Sequence, residues 1–276
     1  MKKCVLISAM ALVAGSLLAA ETSPKDAVSN AVKKLASGSY AFTITTTNAG
    51  SGMGGGGGGG GGFGGGGGGF GGGGGAGGAV NTPTEGKVSK DGIAYVVRVT
   101  GGTTTETVAK GDKRVTRTQT VWQTPEEAGG GGGGFGGGFG GGFGGGLFGG
   151  GGANVVVPAV EAEGLLGKVK EIKLADGVYS GDLTTESAKS LASPFPTGFP
   201  GFGGGGGGDG PEVADAKGTV KFWVKDGVLS KYELHVQGNM DLGGNPFPVD
   251  RTTTVDIKDA GKTDVTIPEE AKKKVS

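Results

Sequence analysis

The chain has 276 residues, 69 of them glycine, and 26 basic residues balance 26 acidic ones. This charge balance leaves no electrostatic footprint for nucleic acid or an anionic lipid surface, so neither is an expected partner. About fifty of the glycines lie in three tracts, at about 50–79, 129–152 and 195–210; with almost no side chains and a high ordering entropy, these tracts cannot form a core.

At the N-terminus, Lys2 and Lys3 precede an uncharged apolar stretch from Cys4 to Leu18, then Ala19, Ala20 and Glu21. A basic start, a short apolar run and small residues at its end describe a cleavable secretory signal peptide over 1–20, cut near Ala20. The run is shorter than the roughly 20 residues a membrane-spanning helix needs. The expected location is therefore the periplasm or the cell exterior, with no transmembrane segment after cleavage. Cys4, the only cysteine, falls inside this leader, so the mature chain is expected to lack thiols, disulfides and a lipid-anchoring cysteine. Without leader and tracts, roughly 185 residues remain, the size of one ordinary domain spread over 21–276.

Ser23-Pro24-Lys25-Asp26 predicts a helix start: a cap, a proline in the first turn and an acid at the positive end of the dipole. Val28, Ala31, Val32 and Leu35 form its apolar stripe, and Gly38 ends it. Tyr40, Phe42 and Ile44 then alternate with Ala41, Thr43 and Thr45 as a half-buried strand. Beyond the first tract, Asp91-Gly92 predicts a hairpin turn into a strand over 93–100, with Ile93, Tyr95, Val97 and Val99 on one face. Gly101-Gly102 and Gly111-Asp112 predict further turns, into strands over 103–109 and 113–123. After the second tract, 158–168 reads as a short helix carrying Val160, Leu165 and Leu166. A hairpin around Asp176-Gly177 and a short helix over 185–191 follow. Past the third tract, Val220, Phe222 and Val224 lead to Asp226-Gly227, and Tyr232, Leu234 and Val236 share a face on the returning strand. A strand over 251–257 and a closing strand over 264–268 complete the sheet, and Lys272, Lys273 and Lys274 after Glu269 and Glu270 read as a solvated terminal helix. The order of elements points to α+β with a largely antiparallel sheet.

Few residues suggest chemistry. The tracts contain G-x-G-x-x-G by accident, without the strand–helix context of a dinucleotide site or the Gly-Lys-Ser/Thr ending of a P-loop. Phe135, Phe139, Phe143 and Phe148, with Phe63, Phe70, Phe199 and Phe202, are open to two readings: an adhesive surface, or repeat expansion in permissive loops. The second is cheap, since growing a loop from about 4 to about 30 residues adds only roughly 1.8 kcal/mol. His235, the sole histidine, falls on the polar face of its strand; without cysteines it supports neither a nitrogen–sulfur metal cluster nor a His-based triad. Asp91, Asp176 and Asp226 precede glycines and serve turns. No cofactor or metal is implied, and the chain reads as a non-enzyme. Trp122 and Trp223 pose one question: either the sheet is covered on both faces there, or they are exposed contacts.

The stretch 218–232, two strands around Asp226-Gly227 with Trp223 in the first, resembles the envelope lipoproteins of the LppX/LprG type and, more broadly, the LolA-like lipoprotein-carrier superfamily. The ending 254–268 and the middle portion from Gly164 through the Asp176-Gly177 hairpin are similar to the same group. The resemblance implies a curved antiparallel half-barrel, short helices on its concave side and an apolar cavity for acyl chains. This chain departs from it in lacking a lipobox cysteine and in its glycine tracts. The alternation then nominates Phe42, Ile44, Tyr95, Val97, Phe222, Tyr232 and Leu234 as cavity-lining, each equally readable as plain core. The leading expectation is an exported binding protein for a lipid or other apolar ligand; a structural or adhesive envelope protein using the Phe-Gly tracts, and a periplasmic sensor acting through an envelope protein partner, are the alternatives.

Overall fold

Ser23 caps the first helix as its position predicts: its Oγ accepts the Asp26 N–H at 3.2 Å, and Pro24 begins α1 (Pro24–Ala36). The computed structural model describes residues 23–49, 83–100, 102–128, 155, 157–193, 213–241 and 246–276. The leader with Cys4 and all three glycine tracts with their phenylalanines lie outside the described residues.

Ten strands form one antiparallel sheet, not closed into a barrel, and with a few short helices they give an α+β architecture. The strands are β1 (Tyr40–Asn48), β2 (Thr84–Val88), β3 (Ala94–Thr100), β4 (Thr103–Lys110), β5 (Lys113–Arg117), β6 (Lys173–Ala175), β7 (Val178–Asp182), β8 (Val213–Lys225), β9 (Val228–Asp241) and β10 (Pro246–Lys258). In the sheet they run β5-β4-β3-β2-β1-β10-β9-β8-β7-β6. Two five-strand meanders thus join where β1 pairs with β10, Phe42 facing Ile257 and Ile44 facing Val255. The tight turns follow from residue type: Asp176 and Gly177 have φ of 50° and 76°, Asp226 and Gly227 of 54° and 71°, the two left-handed positions of a type I′ hairpin.

The remaining helices are α2 (Pro125–Ala128), α3 (Pro158–Leu166), α4 (Thr185–Ala192) and α5 (Glu269–Val275). On one face, called the first, α1 packs over β8 and β9 with α3 beside it, and α4 covers β8, β9 and β10. Val28, Val32 and Leu35 of α1 meet a floor of Tyr40, Phe42, Val220, Phe222, Tyr232, Leu234 and Val255, all buried. At roughly 1.5–3 kcal/mol per fully buried large side chain, this cluster is the main source of stability. The opposite face holds a second, smaller cluster over β3–β5, where α5 sets Ala271 and Val275 against Ile93, Val108, Val115 and Trp122.

Three expectations change. The strand predicted over 113–123 stops at Arg117; the chain turns back, and Gln123 pairs with Thr116 as a single bridge, which carries Trp122 over the face beside Val115. Residues 264–268 form no strand: with β5 and β6 as the sheet edges, this segment leads instead to α5. That helix is not wholly solvated, since Ala271 and Val275 are buried while its lysines stay outside.

Gly86 shows how tightly the first face is built. A Cβ there would lie 2.2 Å from the Phe42 ring, directly across from it in the β1–β2 register. Gly86→Ala is expected to push Phe42 out of place and cost about 1–3 kcal/mol, as overpacking does. Urea unfolding checks this; an unchanged midpoint would show that Phe42 moves freely.

Candidate ligand-binding site

The register separates the seven nominated residues. Phe42, Phe222, Tyr232 and Leu234 are buried on the first face, joined by half-buried Ile44. Tyr95 and Val97 point the other way. Tyr95 pairs with Lys87 and Val97 with Glu85, whereas Phe42 pairs with Gly86, one step out of phase. Ala94 and Val96 carry β3's contribution to the first face. Alternation shows which residues of one strand share a face, but not which face of the whole sheet they share. Here apolar residues occur in both phases because both faces are covered over β3.

Tyr95 belongs to a polar fastening of the second cluster. Its Oη donates to Glu106 Oε1, Arg117 Nε donates to Glu106 Oε2, and the Arg117 guanidinium stands 4.8 Å from the Trp122 ring centroid. Burial and the bond to Glu106 push Tyr95 up to about 12. Partial desolvation works to raise Glu106, but the bonds from Tyr95 and Arg117 outweigh it and hold its carboxyl below the usual range. Trp122 is thus packed. Trp223 is half-buried on this face, with Lys231 Nζ 5.0 Å above its ring. His235 Nε2 lies 2.9 Å from Asp250 Oδ1, a partly exposed pair on the polar part of the same face.

Under α3 the first face carries a feature the apolar pattern did not announce. Tyr232, fully buried, donates its hydroxyl to Glu161 Oε2. Tyr40 Oη accepts the Ala159 N–H at 3.3 Å. Burial pushes Glu161 up to about 7, against the pull of the Tyr232 hydrogen bond and the Lys168 charge. Burial also raises the Tyr232 hydroxyl well above its ordinary value. The helix therefore rests on the sheet through a carboxyl that favours its protonated form. The signal was present: Glu161 stands three residues after Pro158 and four before Leu165, both buried. Val160, one of the apolar residues that marked this helix, is 52% exposed instead.

Beyond the end of α4, the described residues leave part of the first face uncovered. A cavity of about 170 Å³ opens there, walled by Met240, Phe247, Val249 and Ala192, with Asn48 and Arg251 also lining it. Asn48 and Arg251 are directly paired across β1 and β10, so both project on the first face. Pro248 and Asp250 also line the cavity, and the Asp250 carboxylate pairs with His235. Arg251 is only 7% exposed. Its guanidinium donates to the carbonyl of Leu191, in the last turn of α4, where the unpaired carbonyls and the negative dipole end favour a cation. Desolvation lowers Arg251 to about 10, which leaves it charged at neutral pH. The lining therefore joins apolar side chains to Asn48, Asp250 and the buried Arg251. Arg251 was legible as an inner residue of its strand, since it lies in phase with buried Thr253, Val255 and Ile257.

Among the described residues no cluster of histidine, cysteine, aspartate and glutamate could hold a metal, and no helix is long and apolar enough to cross a membrane. No protein-family model and no curated protein matches the chain.

Proposed function

We propose that the chain is an exported, non-enzymatic binding protein that takes a lipid-like or other apolar ligand at the open end of the first face. The observation that carries this reading is the cavity lined by Met240, Phe247 and Val249 at the edge of the core on the first face. An apolar void of about 150 Å³ is enough to bind a benzene-sized molecule, so about 170 Å³ takes one short hydrocarbon segment. The floor of Phe42, Phe222, Tyr232 and Leu234 is packed in the core with α1, α3 and α4 and does not line that space. A LolA-like half-barrel, curved around these helices, is the architecture this reading implies, and the leader over 1–20 would deliver it to the periplasm or beyond.

Expression with the leader in bacteria, followed by native mass spectrometry of the exported protein, tests the proposal. The expected result is a bound apolar species that survives gel filtration and is lost in Val249→Trp, which fills the cavity. A ligand-free protein that also takes up no added octanol would contradict it.

A further inference from the structure

We infer that α3 is a pH-released helix: it lies docked on the first face while Glu161 is protonated, and lifts from its N-terminal end once that carboxyl ionises. The inference is independent of the cavity at the end of α4.

The two ends of α3 are anchored unequally. Past its C-terminus the backbone holds: the Thr184 N–H donates to the Lys168 carbonyl and the Lys170 N–H to the Asp182 carbonyl, each at 2.9 Å, around the Val169–Leu183 bridge. The body of the helix is tied to the sheet by two tyrosines. Tyr232 donates to Glu161 Oε2, and Tyr40 Oη accepts the Ala159 N–H at 3.3 Å. Val157, at the start, supplies no side-chain cap. A helix of nine residues is too short to persist alone in water, and Gly164 weakens it by about 1 kcal/mol relative to alanine. Its helical form therefore depends on docking, and two of the five side chains it buries are the small Ala159 and Ala162.

Glu161 stands on the docked face, in helical phase with buried Pro158 and Leu165. It is half-buried against Tyr232, where loss of water disfavours a charge. The groups around it give that charge little support. The sheet brings Tyr232 from β9 and Tyr40 from β1, both neutral. Beside α3, α1 buries Val28, Ala31, Val32 and Leu35 and leaves Lys25, Asp26, Lys33 and Lys34 exposed. Lys168, beyond the end of α3, favours the ionised form, but burial outweighs its pull and holds the carboxyl up at about 7. Lifting the N-terminal end returns the carboxylate to water and breaks both tyrosine ties, while the backbone bonds of Lys168 and Lys170 stay in place. The docked helix keeps a proton that the released helix gives up near pH 4.5. Docking is therefore firmest below about pH 4.5 and weakens as the pH rises through about 7.

The test is amide hydrogen exchange of the full mature chain between pH 4.5 and 8, each rate divided by the intrinsic rate at that pH. Protection over 161–166 in the native chain is expected to fall at least tenfold across this range, while β8, β9 and β10 keep theirs. In Glu161→Gln, which accepts the Tyr232 hydroxyl and cannot ionise, it should stay level. Glu161→Ala is the second variant, expected to show lower protection of α3 throughout and no pH dependence. A level profile in the native chain, or one that falls in parallel in the variants, would overturn the inference. So would a loss shared equally by β8, β9 and β10, or an α3 without protection at pH 4.5 in folded native protein. Octanol binding does not enter these readouts, so either proposal can fail alone.

Discussion

Trp122→Ala is expected to cost about 3–5 kcal/mol, the range for truncating a large buried aromatic, and to loosen one half of the sheet before the other. Trp122 is 2% exposed and closes the second cluster with Val108, Val115 and the buried face of α5. It also lies under the Arg117 guanidinium, which is held in turn by Glu106. Removing the ring leaves a cavity under α5 and frees Arg117 to move. The first cluster lies on the opposite face and shares no residue with the second. Amide hydrogen exchange should therefore quicken across β3, β4, β5 and α5, while the long central strands β8, β9 and β10 keep their protection. Loss of protection spread evenly over all ten strands would show that the two clusters act as one.

The second large effect concerns pH. Glu161 is raised from 4.5 to about 7 in the folded chain. Between those values the folded state keeps a proton that the unfolded state gives up. The stability this contributes is complete below about pH 4.5 and is lost as the pH rises through about 7. A shift of that size corresponds to at most about 3 kcal/mol, and partial exposure of the Glu161 side chain brings the expected loss to about 1–2 kcal/mol. Glu161→Gln keeps an oxygen to accept the Tyr232 hydroxyl and cannot ionise. The native chain should thus lose thermal stability relative to the variant as the pH rises from about 4.5 to about 7, with the full contrast present above pH 7. Parallel pH profiles for the two proteins would mean that Glu161 ionises without disturbing its contact with Tyr232.

Most of the framework could be read from local chemistry. The Ser23 cap, the stripe of α1 and the two Asp-Gly hairpins are decided by neighbours in sequence, and each lies where its residue types place it. What could not be read depends on partners far along the chain. Tyr95 and Val97 look like Tyr232 and Leu234 in their own strands, and only the pairing of β1 with β2 and β2 with β3 sets them on opposite faces. The burial of α5 and Trp122 depends on each other's presence, which no helical or strand period within 113–123 or 269–275 reveals. The two polar residues that matter most near the first face, Glu161 and Arg251, sit at inner phases of their elements. Charge argues for the surface, and the contacts that make their burial tolerable, Tyr232 and the Leu191 carbonyl, are 71 and 60 residues away. Among the described residues, the cavity opens where α4 ends at Ala192 while β9 and β10 continue to Met240 and Phe247. A difference in element lengths of that kind has no signature in alternation.

The claim that this end of the sheet binds an apolar ligand is tested most directly at Met240, whose side chain lines the cavity. Methyl-labelled methionine gives it an NMR signal of its own in the native protein, assigned by Met240→Leu. Titration with octanol should move the Met240 methyl resonance saturably, and Val249→Trp should abolish the shift while leaving the fold intact. A Met240 signal that stays fixed while octanol reaches millimolar concentration would contradict the assignment of this cavity as the binding site.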